Sequence, residues 1–403
     1  MTALARASRK PIRLVHLGLG SFFRAHQARL TQLAADGDEW GYAAFTVRSP
    51  KQAELLEAQD GLFTLTETSA EGAEVNIVDQ VSAAYAGDDL EALRRHLADP
   101  AVAAVTLTIT EGGYGINDGD VRVVRDGGVP ATPLARLALA LDARRRAGAG
   151  PIAVISCDNL PENGQVTRMS LEAYTREAPE LQQWIRDNAS FCSTAVDRIT
   201  PRIDDAERAA LAAASGYDDA SPVVTERYVE WVIGGSFPAG RPAWETAGVI
   251  LTDDVTPYED RKLRMLNGAH TILAISGPRR GYTTVDQAIR DPELRELVDD
   301  WWAEAGSTLP AHLEPLAYAD GLRERFANPA LKHQLSQIAE NMRVKFDSRI
   351  LPVIRERRAA GIPYAAGTRA LAEWALATAG DPLELDPEHD QAALDDALAA
   401  AAL

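Results

Sequence analysis

The stretch YEDRKLRMLNGAHTIL, residues 258–273, carries Lys262, Asn267 and His270 at spacings of five and three residues. At about 100° per residue on an α-helix, these positions fall near 0°, 140° and 80° and share one arc. Leu263, Leu266 and Ile272 lie beside them, an odd setting for a solvated face. A lysine in a dry pocket loses basicity and can serve as a general base. An asparagine amide can donate to a developing alkoxide, and a histidine can orient the lysine or the substrate. The same spacing also fits a helix with a paired lysine and a core histidine.

Two further stretches place polar groups just after apolar runs. ISCDNLPENG, residues 155–164, supplies Asp158 and Asn159, and TITEGGY, residues 108–114, supplies Glu111. Ligands of open α/β sheets bind at the carboxyl ends of strands, so Asn159 is a candidate oxyanion donor and Glu111 a candidate neighbour of a nicotinamide. Ordinary turn chemistry accounts for both stretches equally well. RLVHLGLGSFFRAHQ, residues 13–27, ends an apolar run with Gly18 and Gly20. These fill two positions of a G-x-G-x-x-G fingerprint, whose third position holds Phe23. Phe22 and Arg24 follow in the first helical turn and join the candidate cofactor set, Arg24 as a phosphate ligand or a solvated helix residue. The acid that would grip a ribose 2′-hydroxyl is missing. TVRSPKQ, residues 46–52, holds Arg48 and Lys51 there instead, which admits NADP as well as NAD.

Elements able to position these groups are legible in the pattern. Apolar strands at 12–20, 40–50, 101–110 and 152–159 alternate with helical segments. That alternation predicts an α/β fold with a Rossmann-type, doubly wound, mostly parallel sheet. From about residue 255 the segments YEDRKLRMLNGAHTILAISG, LRELVDDWWAEAG, LKHQLSQIAENMRVKF and GTRALAEWALATAG all read as helices. The expected organisation is a dinucleotide-binding domain over 1–252 and a mostly α-helical substrate domain over 253–403. The last stretch, LELDPEHDQAALDDALAAAAL, reads as a final helix or a frayed tail.

Bulk properties narrow the function classes. The chain has 403 residues, 46% hydrophobic and 25% charged, with a net charge of −18. Such a surface repels a phosphate backbone, which argues against a nucleic-acid partner. There are 2 cysteines, Cys157 and Cys192, and no spacing typical of zinc ligands, so no metal is expected. No apolar run is long enough to span a bilayer, and the N-terminus lacks a signal-peptide core. A cytoplasmic setting is the simplest expectation.

Taken together, these segments resemble the mannitol dehydrogenase family, the polyol-specific long-chain dehydrogenases. The matching pieces are VHLGLGSFFRAHQ, TLTITEGGY, SCDNLPENG, VDRITP, DDVTPYEDRKLRMLNGAH and RFANPALKHQ. The resemblance implies a zinc-independent, NAD(P)-dependent oxidoreductase that interconverts a secondary alcohol of a sugar alcohol or sugar acid with its ketose or ketouronate. It makes Lys262 the general base, Asn159 and Asn267 the stabilisers of the alkoxide-like oxygen, and His270 the group that positions substrate and lysine. Glu259 matches a glutamate linked to proton movement, and Asp197 and Lys345 match holders of distal hydroxyls. Where the mannitol 2-dehydrogenase branch has an arginine, eight residues before Lys345, this chain has Gln337, as fructuronate reductases do. That departure shifts the expected substrate toward a sugar acid. A monomer or weak dimer is implied. The alternatives are a mannitol-1-phosphate 5-dehydrogenase, with Lys332, Arg343 and Lys345 as phosphate ligands, and a non-catalytic nucleotide sensor on the same fold.

Overall fold

The computed structural model describes residues 1–377 apart from Ala70, Ala330, Lys332 and Asn341. Lys332 and the acidic, alanine-rich terminal stretch therefore lie outside the described residues. The chain forms two compact units, Met1–Thr68 with Gly72–Val255, and a second that takes in Ser69, Glu71 and the chain from Thr256 onward.

The first unit is built on an eight-stranded sheet. Its strands are β1 (Ile12–Leu17), β2 (Gly41–Phe45), β3 (Val81–Tyr85), β4 (Ala104–Leu107), β5 (Ile152–Ser156), β6 (Ala189–Asp197), β7 (Glu230–Gly234) and β8 (Ile250–Thr252). The spatial order is β8-β7-β6-β5-β4-β1-β2-β3. Strands β1 to β6 pair in parallel. β7 runs antiparallel to β6, and β8 runs parallel to β7. The order reverses between β1 and β4, the point where such sheets open a ligand crevice beyond their carboxyl ends. Both faces are buried, which is why these strands read as continuous apolar runs. Leu14, Tyr42, Ala44, Ala153 and Ile155 pack into one core, while Val15, Leu17, Ala43, Phe45, Ile152 and Val154 pack into the other.

The helix expected after β1, here α1, has three parts: Ser21–Phe23, a π-helical turn Arg24–Ala28, and Arg29–Leu33. A π turn bonds i to i+5 and is a local widening that recurs at functional sites.

The second unit is helical. Its first helix, α2, also has three parts: Thr256–Arg261, a π turn Lys262–Asn267, and Gly268–Ser276. α3 (Pro292–Gly306) starts on Asp291, whose carboxylate accepts from Glu293 N and Leu294 N, with Pro292 in the first turn. Leu294, Leu297, Val298, Trp301 and Trp302 form its buried stripe at helical spacing. α4 is Pro315–Phe326. The helix expected over LKHQLSQIAENMRVKF is instead two short ones, α5 (Leu335–Ile338) and α6 (Met342–Arg349). Leu335 and Ile338 on one and Phe346 on the other are buried, so each short helix anchors separately. α7 (Leu351–Ala359) and α8 (Ala365–Ala377) complete the described residues.

Candidate active site

In the first unit the turn after β1 is shaped by close backbone approach. Gly18 has φ +117°, and a Cβ there would lie 2.1 Å from the Thr108 carbonyl oxygen. Only glycine satisfies both constraints. Gly20 is different. A Cβ on it would meet only the Gly18 carbonyl, at 3.6 Å. Nothing else among the described residues lies within 4 Å of that Cβ position, and no side chain among them caps the first turn of α1. A helix start with free N–H groups beside an unfilled glycine surface fits the pyrophosphate of a dinucleotide.

Behind the turn, His16 is fully buried and stacks on Phe23 at 3.6 Å. The Thr108 hydroxyl donates to the Gly18 carbonyl, so it accepts from His16 Nε2, and His16 Nδ1 accepts from the Thr106 hydroxyl. Burial pushes the His16 pKa down to about 3, so the imidazole is neutral.

The structure corrects the reading of Arg24. The residue is 2% exposed, neither at a solvated surface nor turned outward to a phosphate. Its guanidinium donates to the Ser221 carbonyl and hydroxyl and lies over the Phe63 ring. Burial lowers its pKa to about 10. Arg24 therefore ties the π turn to the loop at Ser221. Phe22 is half-buried and stacks on His26 at 5.0 Å. Arg48 is exposed just beyond β2, and Glu111 is exposed in the turn that follows β4.

Asp158, one residue before the exposed Asn159, holds that second turn. Its carboxylate accepts from Ile109 N, Thr110 N and the Tyr114 hydroxyl, at 2.9, 2.8 and 2.7 Å. Burial raises its pKa. Thr110 sits at φ 64°, rare for a β-branched residue, and these bonds over-determine it. Sequence reasoning noticed Asp158 and missed this strained turn, because no residue type announces it. Asp197 is buried at the end of β6. Its neighbour Arg198 donates to the Ala25 carbonyl in the α1 π turn, to the Glu226 carbonyl and to Glu67.

In the second unit, Lys262, Asn267 and His270 all lie on α2. The angles expected from an α-helix do not hold, because Lys262–Asn267 is the π turn itself. A π turn brings residue i+5 round above residue i, so Lys262 and Asn267 are drawn together. Trp301 Nε1 donates to the Arg264 carbonyl and Trp302 Nε1 to the Met265 carbonyl, at 2.9 and 3.0 Å. Gly268 makes room for this, since a Cβ there would sit 2.7 Å from Trp301 Nε1. The sequence places the adjacent tryptophans on a helix but gives no sign that they clamp this turn.

Lys262 and Glu259 are half-buried, and Asn267 is 9% exposed. His270 is 5% exposed and stacks on Phe326 at 4.3 Å. Burial first, and then the charges of His333, Arg325, Arg349 and Lys262, push its pKa well below the ordinary value. It is a neutral imidazole at pH 7. The half-buried Lys345 on α6 donates to the Ile338 carbonyl at 2.8 Å, and Gln337, beside that carbonyl on α5, is exposed. Among the described residues there is no group of three or more His, Cys, Asp or Glu that could hold a metal, and no helix is long and apolar enough to cross a membrane.

Comparison with known proteins supplies the class. The mannitol dehydrogenase Rossmann domain matches residues 12–246 and the mannitol dehydrogenase C-terminal domain matches residues 254–388. The polyol:NADP oxidoreductase of Gluconobacter oxydans is 39% identical over 349 residues, covering 81% of this chain and 72% of that protein. The crystal structure of D-sorbitol dehydrogenase in substrate-free form is similar at a TM-score of 0.87 and 34% identity, over 94% of this chain and 83% of that one. Pseudomonas fluorescens mannitol 2-dehydrogenase, in ternary complex with NAD and D-mannitol, gives a TM-score of 0.81 and 34% identity, over 99% and 88%. The fold and these matches define an NAD(P)-dependent oxidoreductase acting on CH–OH groups. The chain belongs to the mannitol dehydrogenase family.

Proposed function

We propose that this protein interconverts a secondary alcohol of an open-chain polyol or sugar acid with the corresponding ketose or ketouronate, using NAD or NADP. The observation that carries this reading is the α2 π turn, which draws Lys262 and Asn267 together one turn before the neutral His270. A bound nicotinamide supplies the two-electron acceptor or donor for the carbinol carbon. Gly18, Gly20 and the first turn of α1 would hold the pyrophosphate. Arg48, with no acid beside it at the end of β2, leaves room for a 2′-phosphate, and Phe22 and Glu111 are assigned to the cofactor's surroundings. Lys262 takes the hydroxyl proton during oxidation and returns it during reduction. Asn267 donates to the oxygen as it gains charge, and Asn159 has the same role by family resemblance. His270, being neutral, hydrogen-bonds without repelling the protonated Lys262. Glu259 is assigned to proton exchange, and Asp197 and Lys345 to distal hydroxyls.

The test is Lys262→Ala. Turnover should fall about a hundred- to ten-thousand-fold, while NAD(P)H binding, followed by fluorescence, stays within about twofold. Unchanged turnover would discard Lys262 as the base. A panel of D-mannitol, D-sorbitol, D-arabinitol, fructose and fructuronate with both cofactors separates polyol from sugar-acid activity. Gln337 predicts the uronate. The work is assigned to the cytoplasm and to a monomer or weak dimer.

A further inference from the structure

Two imidazoles meet in the second unit, and only one has been given a role. His333, in the segment between α4 and α5, packs edge-on against His270 with ring centroids 5.0 Å apart and planes at 87°. It is half-buried. Its backbone carbonyl accepts from Val285 N at 3.0 Å, and the neighbouring Gln334 forms a bridge with Thr284, so the residue is held at a fixed place. Each ring carries one solvent-inaccessible nitrogen, His270 Nε2 and His333 Nδ1, with no hydrogen-bond partner among the described residues. Leaving a buried polar atom unmet is costly, so two such nitrogens on rings in contact call for partners that the described residues do not supply.

The surroundings select the chemistry. The groups facing the pair are cationic: Lys262, Arg325 and Arg349 act on His270, and Lys345 acts on His333. Burial is the first cause holding both imidazoles below the ordinary histidine range, and these cations add to it. Two neutral rings, each able to donate at one nitrogen and accept at the other, match neighbouring hydroxyl groups. Lys345, on the His333 side, is one of the groups assigned to distal hydroxyls.

We infer that His333 is a second substrate-reading imidazole, which hydrogen-bonds a hydroxyl next to the one handled by His270. The inference rests on the proposed polyol or sugar-acid activity and adds a specificity-determining residue to it.

The experiment uses the full chain with D-mannitol, D-arabinitol and fructose as probes and compares His333→Phe with His333→Asn. The phenylalanine keeps the ring contact and removes both nitrogens. The asparagine places a polar atom near the position of Nδ1. His333→Phe should raise KM for the preferred probe about tenfold, the worth of one good hydrogen bond. It should change kcat far less and leave NAD(P)H affinity and the melting temperature near those of the wild type. His333→Asn should recover most of the KM. If wild type turns over a probe and His333→Phe leaves KM unchanged, the assignment of His333 is overturned and the activity stands. The assignment also fails if both variants lose activity in step with a falling melting temperature. A wild-type chain that turns over neither these probes nor fructuronate overturns the activity and the assignment together.

Discussion

The two π turns, Arg24–Ala28 and Lys262–Asn267, solve the same local problem to opposite ends. A widened turn displaces carbonyls from the regular helical ladder, and those groups need donors from elsewhere. At Arg24–Ala28 the donor is Arg198, and every residue of the turn is buried. At Lys262–Asn267 the donors include Trp301 and Trp302, and Lys262 is half-buried. The first turn spends its cation, Arg24, on the protein's own loop at Ser221. Cations embedded in such turns are therefore not equivalent. On the proposed function the charge of Lys262 works on substrate, whereas that of Arg24 is structural.

The largest effect should separate the two turns by kind. Lys262→Ala should cost roughly a thousandfold in turnover, about 4 kcal/mol of barrier, with a melting temperature close to wild type. A stability loss of that size with turnover intact would erase the distinction. Arg198→Met should do the reverse. It removes the donor to Ala25 and half of a buried ion pair, and urea unfolding should show a loss of about 3 kcal/mol. Glu67 keeps Arg29 as a partner, which holds the loss at that level. Gly268→Ala is the intermediate case. Its methyl group strikes Trp301 Nε1, so unfolding should register about 2 kcal/mol, and kcat should fall because the clamp on the Lys262 turn is displaced.

The last effect concerns pH. Folding lowers the pKa of His16 to about 3 and holds His270 well below its ordinary value, so the native state keeps both neutral. Below about pH 6.5 the unfolded chain takes up these protons and the native state does not. Stability should therefore be full above pH 6.5. As pH falls it should drop by about 1.4 kcal/mol per unit for each histidine, and for His16 the loss continues to about pH 3. His16→Gln should flatten the slope of urea-derived stability between pH 7 and 5. An unchanged slope would mean that His16 is not held neutral.

The sheet was legible because buried parallel strands write themselves as apolar runs, and Gly18 was legible because only glycine fits its backbone. The π turns were not. A period of 3.6 residues is the default reading, and neither turn carries a residue type that signals widening. The donors that stabilise them, Arg198, Trp301 and Trp302, are remote in sequence. Arg24 misled for the same reason, since its partner Ser221 lies 197 residues away. The break between α5 and α6 was hidden because both pieces keep helical apolar spacing. His333 was passed over because its stretch reads as a helix in which one histidine has no pattern, and its meaning appears only beside His270.

Trp301 and Trp302 have a further consequence. An indole's emission shifts with the hydrogen bonding of its ring N–H, and these two of the chain's 7 tryptophans are bonded to the turn that bears Lys262. The protein thus contains its own optical gauge: intrinsic fluorescence reports whether that segment is wound or relaxed, without a label and without a substrate.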